Sequence, residues 1–264
     1  MIEIKNVSLV FNPATPNENT VFKDLNLRVE KNDFITIIGS NGAGKTTLFN
    51  LLSGNLMPTS GKIIIDEKNV TKVPEYKRAK NIGRIFQDPL AGTASNMSIE
   101  DNMMVCCKKG FKGLRISLNS KRRLFFKKQL NHLDMGLEDR LKDNVGLLSG
   151  GQRQALTLLM MVLSNPALVL LDEHTAALDP RNAAIVLNLT RNFMEKRSLT
   201  TMMVTHNMQH AIDYGNRLLM MDKGDIVIDV KGEEKQTLTV EKLIDMFTKV
   251  RKTDFVNDEA LLSR

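Results

Sequence analysis

The chain has 264 residues, 42% hydrophobic and 25% charged, an ordinary globular composition sufficient for one large domain or a core with a smaller lobe. No apolar run approaches the roughly 18 to 20 residues that a bilayer-crossing helix needs, and the N-terminal "MIEIKNVSLVF" alternates and carries an acid, unlike a secretory signal. The net charge of +7 is concentrated: nine Lys or Arg and no acid lie between Asn102 and Leu133, and outside that run acids slightly outnumber bases, so a single segment can face an anionic partner.

In chain order, residues 2–11 and 22–30 alternate like strands across a turn-rich loop at 12–20, and read as an antiparallel pair. The short apolar run 33–39 reads as a buried parallel strand, and 45–54 as a helix stopping at Gly54. Residues 60–70 and 81–88 read as two further strands. Residues 96–145 read as helices broken at Gly110, Gly113 and Gly136. Within them the adjacent Cys106 and Cys107 offer neither a bridge nor metal-ligand spacing; they read as small half-buried helix residues of a protein kept in a reducing cytosol. Ser149 reads as the N-cap of a buried helix through "ALTLLMMVL" (155–163). Apolar strands follow at 167–173 and 199–206, each preceded by a helix. Residues 217–230 read as a hairpin about Lys223-Gly224, and a helix near 240–249 leads to a polar tail. The expected fold class is α/β, a mainly parallel sheet with helices on both faces, plus an antiparallel β subdomain and an inserted helical subdomain. The expected division is 1–88 and 150–264 for the core and about 89–149 for the helical subdomain.

"GSNGAGKTT" (Gly39, Ser40, Asn41, Gly42, Ala43, Gly44, Lys45, Thr46, Thr47) matches G-x-x-x-x-G-K-[ST] directly after a strand and directly before a helix, the context a phosphate loop requires. Its glycines let backbone N–H groups turn toward phosphate oxygens. Lys45 would reach the β- and γ-phosphates, and the Thr46 hydroxyl would hold Mg²⁺. The strand "ALVLLDE" ends in Asp172, a metal-holding carboxylate, and Glu173, a general base for attacking water. His206 after "VT" and Gln87 after "GRIF" end strands whose carboxyl edge is where open α/β sheets bind ligands. The Gln87 amide could orient water or complete the metal shell. The helix start at Ser149 is a second place for an anion to sit.

Together "GSNGAGKTT", Gln87 in "FQDP", "LSGGQ" (148–152), "LLDEHTAALD" (170–179) and "VTH" resemble the ABC-type ATPases, a family with a P-loop NTPase core, in order and spacing over roughly the first 230 residues. "LSGGQ" is the element that separates this family from other P-loop NTPases. The resemblance implies ATP and Mg²⁺ as cofactors. It also implies a head-to-tail homodimer, or a pairing with a similar ATPase, in which Ser149, Gly150, Gly151 and Gln152 of one copy cap the ATP held by Lys45 of the other. It makes Phe11 the aromatic that stacks on adenine, Asp179 part of the loop that communicates across the dimer, and His206 the switch histidine at the γ-phosphate. His174 departs from the family's pattern, where many relatives have proline; beside Glu173 it bears on the rigidity of that loop rather than on catalysis.

The same resemblance implies a separate integral membrane permease, a substrate-binding protein, and a peripheral place on the cytoplasmic face of the membrane. The 58 residues after His206 are too few for the regulatory barrel of sugar-type importers. The wording of 86–103 and 170–180 is close to ATPases of amino-acid-like uptake systems, including those for aromatic amino acids. Three alternatives stay open at this point. One is an export subunit. Another is a nucleic-acid-binding regulator, suggested by the basic pI but lacking a groove-reading motif. The third is a non-hydrolysing ATP-gated clamp, which intact Glu173 and His206 disfavour. The basic run 108–128 is expected to face lipid headgroups, acidic permease loops or only solvent.

Overall fold

The structure is a computed structural model and describes residues 1–107 and 118–249. In chain order the elements are β1 (Ile2–Phe11), β2 (Asn19–Val29), β3 (Phe34–Gly39), α1 (Lys45–Ser53), β4 (Ser60–Ile65), β5 (Lys68–Asn69), α2 (Glu75–Arg78) and β6 (Ile82–Ile85). They continue with α3 (Ile99–Cys107), α4 (Ser120–Asn131), 3-10 turns at Leu137–Asp139 and Val145–Leu147, α5 (Gly150–Leu163), β7 (Leu168–Asp172), α6 (Pro180–Arg197), β8 (Thr201–Val204), α7 (Met208–Asp213), β9 (Arg217–Asp222), β10 (Asp225–Lys231) and α8 (Glu233–Gln236). A helix also runs over 240–249. The chain divides into two compact units, Met1–Glu75 with the described residues from Thr200 onward, and Tyr76–Leu199.

The first unit contains an antiparallel sheet in the order β2-β1-β4-β5. In β1 the buried residues are Ile2 and Ile4, then Val7 and Leu9. That switch from even to odd positions would turn half of them to solvent in a regular strand. A register shift between Ile4 and Val7, with Asn6 at φ 48°, absorbs the extra residue and keeps all four on one face. The expected antiparallel pairing of 2–11 with 22–30 is present, from Ile2 opposite Val29 to Phe11 opposite Asn19. The strand expected over 60–70 is instead a hairpin: Asp66 (φ 46°) and Glu67 (φ 65°) are both left-handed, the geometry of a two-residue turn, and β5 folds back on β4.

In the same unit β3 runs parallel to β8 on one side and to β9 on the other, and β9 pairs antiparallel with β10. The hairpin about Lys223-Gly224 is as expected, with φ of 47° and 89° at the turn. Ile38, Ala211, Leu218, Met220, Ile228, Val230, Leu238 and Leu243 form one apolar core there. β3 buries five of its six residues, which explains why it reads as a continuous apolar run rather than an alternating one.

The second unit pairs β6 parallel with β7, Ile82 opposite Leu168 through Ile85 opposite Leu171. Its core joins α3, α4, α5 and α6 through Ile99, Met103, Phe126, Leu130, Leu156, Leu159 and Val186. Cys106 and Cys107 sit half-buried at the end of α3 against this core, as expected. Gly110 and Gly113, expected as helix breaks, and Lys108, Lys109, Lys112 and Arg115 of the basic run lie outside the described residues. Of the basic residues on α4, Arg123 makes a two-pronged ion pair with Glu100 (2.8 and 3.1 Å) and Lys127 pairs with Asp139 (3.0 Å), so part of the run is answered within its own unit. Among the described residues no helix is long and apolar enough to cross a membrane.

Candidate functional site

In the first unit, β3 ends at Gly39 and the chain turns through Ser40–Gly44 into α1. The turn needs glycine at both ends. A Cβ on Gly39 would lie 2.1 Å from the Met221 carbonyl oxygen, and one on Gly44, left-handed at φ 98°, would lie 2.8 Å from the Phe22 ring. Gly42 (φ 80°) differs, because a Cβ there would meet nothing within 4 Å, so one side of the loop is open. Ala43 is buried and its carbonyl accepts from Gly224 N (3.2 Å); Asn41 and Thr46 are exposed, and Thr47 is half-buried. Lys45 is only 6% exposed, and its Nζ donates to the carbonyls of Gly39 (2.8 Å) and Ser40 (2.9 Å), which holds an ammonium within the loop. Ser40 Oγ donates to Oδ1 of the buried Asp222 at 2.8 Å, anchoring the loop to the end of β9. α1 begins at Lys45, and the amides of its first turn have no intrahelical acceptors, as at any helix start. Beyond β8, Thr205 N donates to Ile37 O (3.1 Å), which carries His206 to the same carboxyl end of β3 and β8 as the loop. Phe11 ends β1 half-buried, opposite Asn19.

The second unit brings together a different set. Asp172 is the last residue of β7, buried, and its Oδ2 accepts from Arg84 Nη2 at 3.0 Å, both side chains being about a tenth exposed. The Arg84 guanidinium also lies over the Phe86 ring, 4.7 Å from its centroid. Glu173 follows, half-buried and left-handed at φ 48°. Gln87 was expected to end a strand; β6 instead stops at Ile85 and Gln87 lies exposed in the bend that follows. The bend forms because Asp88 Oδ1 accepts from Leu90 N (2.9 Å) and Pro89 has no N–H to extend a ladder. Gln87 still stands at the same end of the β6–β7 pair as Asp172 and Glu173.

Ser149 caps α5 in a reciprocal box: its Oγ accepts from Gln152 N, and Gln152 Oε1 accepts from Ser149 N, each at 3.2 Å. The Ser149 hydroxyl proton is not used in that box. Arg153 Nη2 donates to the carbonyls of Val145 and Gly146 (both 3.2 Å), fixing the approach to the cap. Gly150 is exposed, while Gly151 is buried so closely against α6 that a Cβ would lie 2.7 Å from Asn182 Cγ. Asn182 in turn donates from N (3.1 Å) and Nδ2 (2.6 Å) to Asp179, the N-cap of α6, and those bonds hold the Asp179 carboxyl below the usual carboxylate range. Ser149–Gly151 and Asp179, singled out separately in the sequence, thus share one neighbour.

Four residues went unnoticed in the sequence: Arg84, Arg153, Gln154 and Asp222. Arg84 carried a faint signal, a charge inside an otherwise apolar strand. Asp222 repeats the apolar-strand-then-aspartate pattern of Asp172. Each unit has its own oxygen donors that could serve Mg²⁺: the Thr46 hydroxyl in the first, and in the second the Gln87 amide oxygen and the Asp172 carboxylate, one oxygen of which accepts from Arg84. These are hard oxygen ligands that suit an ion carried mainly by nucleotide phosphates and water. Among the described residues no cluster of three or more His, Cys, Asp or Glu could cage a metal without such help.

The profile of one family, described as ABC transporter, matches residues 22–176. The "Tyrosine transport ATP-binding protein" of Clostridioides difficile (strain R20291) is 44% identical over 94% of this chain and 98% of its own length. An energy-coupling factor transporter ATP-binding protein, EcfA2, of Clostridium perfringens is 32% identical over 92% of this chain and 84% of its own length. Among solved structures, the dimeric form of a bacterial ABC transporter cassette matches with a TM-score of 0.72 at 24% identity, over 88% of this chain and 98% of that one, a likeness of fold.

Proposed function

Since the chain belongs to the ABC transporter family and is the ATP-binding, ATP-hydrolysing subunit of such a transporter, we propose that its two sets of residues divide the work on one nucleotide. Lys45 and the amides of residues 40–47 bind the phosphates, and Phe11 stacks on adenine. Thr46, Asp172 and Gln87 hold Mg²⁺, which when bound draws charge from the phosphates. Glu173 takes the proton of the attacking water, and His206 donates to the γ-phosphate. Residues 1–88 and 150–264 act as the nucleotide-binding core and about 89–149 as the helical lobe.

The observation that carries this reading is the pair of helix starts: α1 behind the open loop at Gly42, and α5 behind an exposed Ser149 whose hydroxyl proton the capping box does not use. Among the described residues, the starts of α1 and α5 are two places for an anion, set against the carboxylates Asp172 and Glu173 at the end of β7. That supports a head-to-tail dimer in which the Ser149–Gly151 start of one copy covers the ATP held by Lys45 of the other. The chain works with integral membrane permease subunits at the cytoplasmic face, together with a substrate-binding protein, and powers import of an amino acid. The high identity to a relative named for tyrosine transport supports an aromatic one.

Glu173→Gln tests the reading. Loss of the general base should lower turnover by about 10²- to 10⁴-fold while ATP accumulates in a dimer visible by size-exclusion chromatography. Turnover near that of the parent, or a variant that stays monomeric when saturated with ATP, would overturn it.

A further inference from the structure

Glu173 stands on a backbone conformation that residues with side chains rarely adopt, at φ 48° where the chain leaves β7. A turn of that kind persists only if its surroundings hold it. The Glu173 carbonyl accepts from Ala176 N at 2.9 Å. The next carbonyl, that of His174, accepts from Gln154 Nε2 at 2.7 Å. Gln154 is wholly buried in α5, and the same amide nitrogen lies 3.5 Å from the carbonyl of Phe86, the residue before Gln87. The His174 ring, 2% exposed, is 3.0 Å from Thr190 Oγ1 on α6. The Thr190 hydroxyl donates its proton to the Val186 carbonyl (2.8 Å), an arrangement that leaves His174 Nε2 as the donor to Thr190 Oγ1.

We propose that Gln154 and His174 are positioning residues for hydrolysis. Gln154 fixes the backbone beside both Gln87 and Glu173 and couples it to α5, the helix that starts at Ser149; His174 anchors the same turn to α6, the helix that starts at Asp179. One buried amide therefore joins the bend of Gln87, the turn of Glu173 and the helix whose start covers a second copy's nucleotide. A shift of α5 when that nucleotide arrives is passed to both hydrolytic residues through this buried side chain and its bonds to the His174 and Phe86 carbonyls. Packing alone does not account for glutamine here. Among the described residues Gln154 Oε1 has no hydrogen-bond partner, so the side chain is kept for its donors while its acceptor lies idle in the interior. Methionine would fill the same volume without that unmet atom.

This inference rests on the reading of Glu173 and Gln87 as hydrolytic residues, and Gln154→Met in the full-length chain tests it separately from that reading. Two measurements are made on nucleotide-free and ATP-loaded protein. Hydrogen exchange at the Ala176 amide, which reports the turn without any chemistry, should quicken in the variant. The steady-state kcat should fall at least tenfold while the Kd for ATP changes less than threefold. Unchanged exchange would overturn the clamp, and faster exchange with parental kcat would overturn its link to hydrolysis. Equal losses in kcat and ATP affinity would make Gln154 a general packing residue and also overturn the proposal. Should Gln154→Met fail to accumulate folded, Thr190→Val cuts the His174 anchor and is held to the same outcomes. None of these results bears on whether Glu173 is the base, which Glu173→Gln decides.

Discussion

At the scale of single residues, charge burial separates what is visible in the sequence from what is not. Asp172 stands out in the sequence as a candidate metal ligand because it closes an apolar strand. Its buried partner Arg84 does not, because an isolated arginine in "NIGRIFQD" says nothing of what it faces. Removing one member of a buried ion pair leaves the other uncompensated, which costs on the order of 3–5 kcal/mol. Arg84→Leu should therefore lower the melting temperature of the nucleotide-free protein by roughly 10 °C. Mg²⁺ with ATP should restore more of that loss than it adds to the parent, since the ion supplies the missing positive charge. Calorimetry with and without the two ligands checks both; a melting point within a degree or two of the parent would mean that the pair contributes little.

At the scale of elements, α5 shows how local chemistry and tertiary position combine. Its start is written in four residues, Ser149 to Gln152; the serine cap forms as the sequence leads one to expect, and the structure adds the reciprocal bond from Gln152. Loss of the cap in Ser149→Ala should cost about 1 kcal/mol, a shift of roughly 2–4 °C. On the proposed head-to-tail dimer, turnover should fall at least tenfold, far beyond what so small a destabilisation explains, because the hydroxyl proton that Ser149 would offer to a second copy's phosphate is gone. A parallel melting curve and ATPase assay separate the two effects, and a turnover loss no larger than the loss of folded protein would reduce Ser149 to a helix cap. Other elements were less legible. The β4–β5 hairpin reads as one strand because its turn residues, Asp66 and Glu67, are not the Asn-Gly or Asp-Gly pair that announces such a turn. The shift in β1 is hidden for a similar reason: a bulge leaves no residue type of its own, only a change in which positions are buried.

At the scale of the whole molecule, His174 links the turn after β7 to global stability. Burial pushes its imidazole down from 6.5 to about 4, so the folded chain refuses a proton that the unfolded chain accepts below about 6.5. Its contribution is full above pH 6.5 and is lost as the pH falls toward 4, by up to about 1.4 kcal/mol per pH unit inside that window. Urea unfolding of the nucleotide-free protein at pH 7 and pH 5 should show the decline, and His174→Asn should flatten it. An equal slope in parent and variant would place the pH dependence elsewhere.

By itself the sequence determined the α/β class, the glycine-rich turn at 39–47 between β3 and α1, the cap at Ser149 and the acidic end of β7. The cap at Ser149 and the bonds of Lys45 within its own turn join residues a few positions apart, and such short-range chemistry leaves residue types at fixed spacings. Only the tertiary structure decided which charge answers Asp172, which amide holds the Glu173 turn and why His174 must stay neutral. Arg84 is 88 positions from Asp172, and Gln154 lies 20 from His174 and 68 from Phe86. Contacts made across such distances depend on which elements pack together, and while burial leaves its periodicity in the chain, the identity of the distant partner leaves no mark at a fixed spacing.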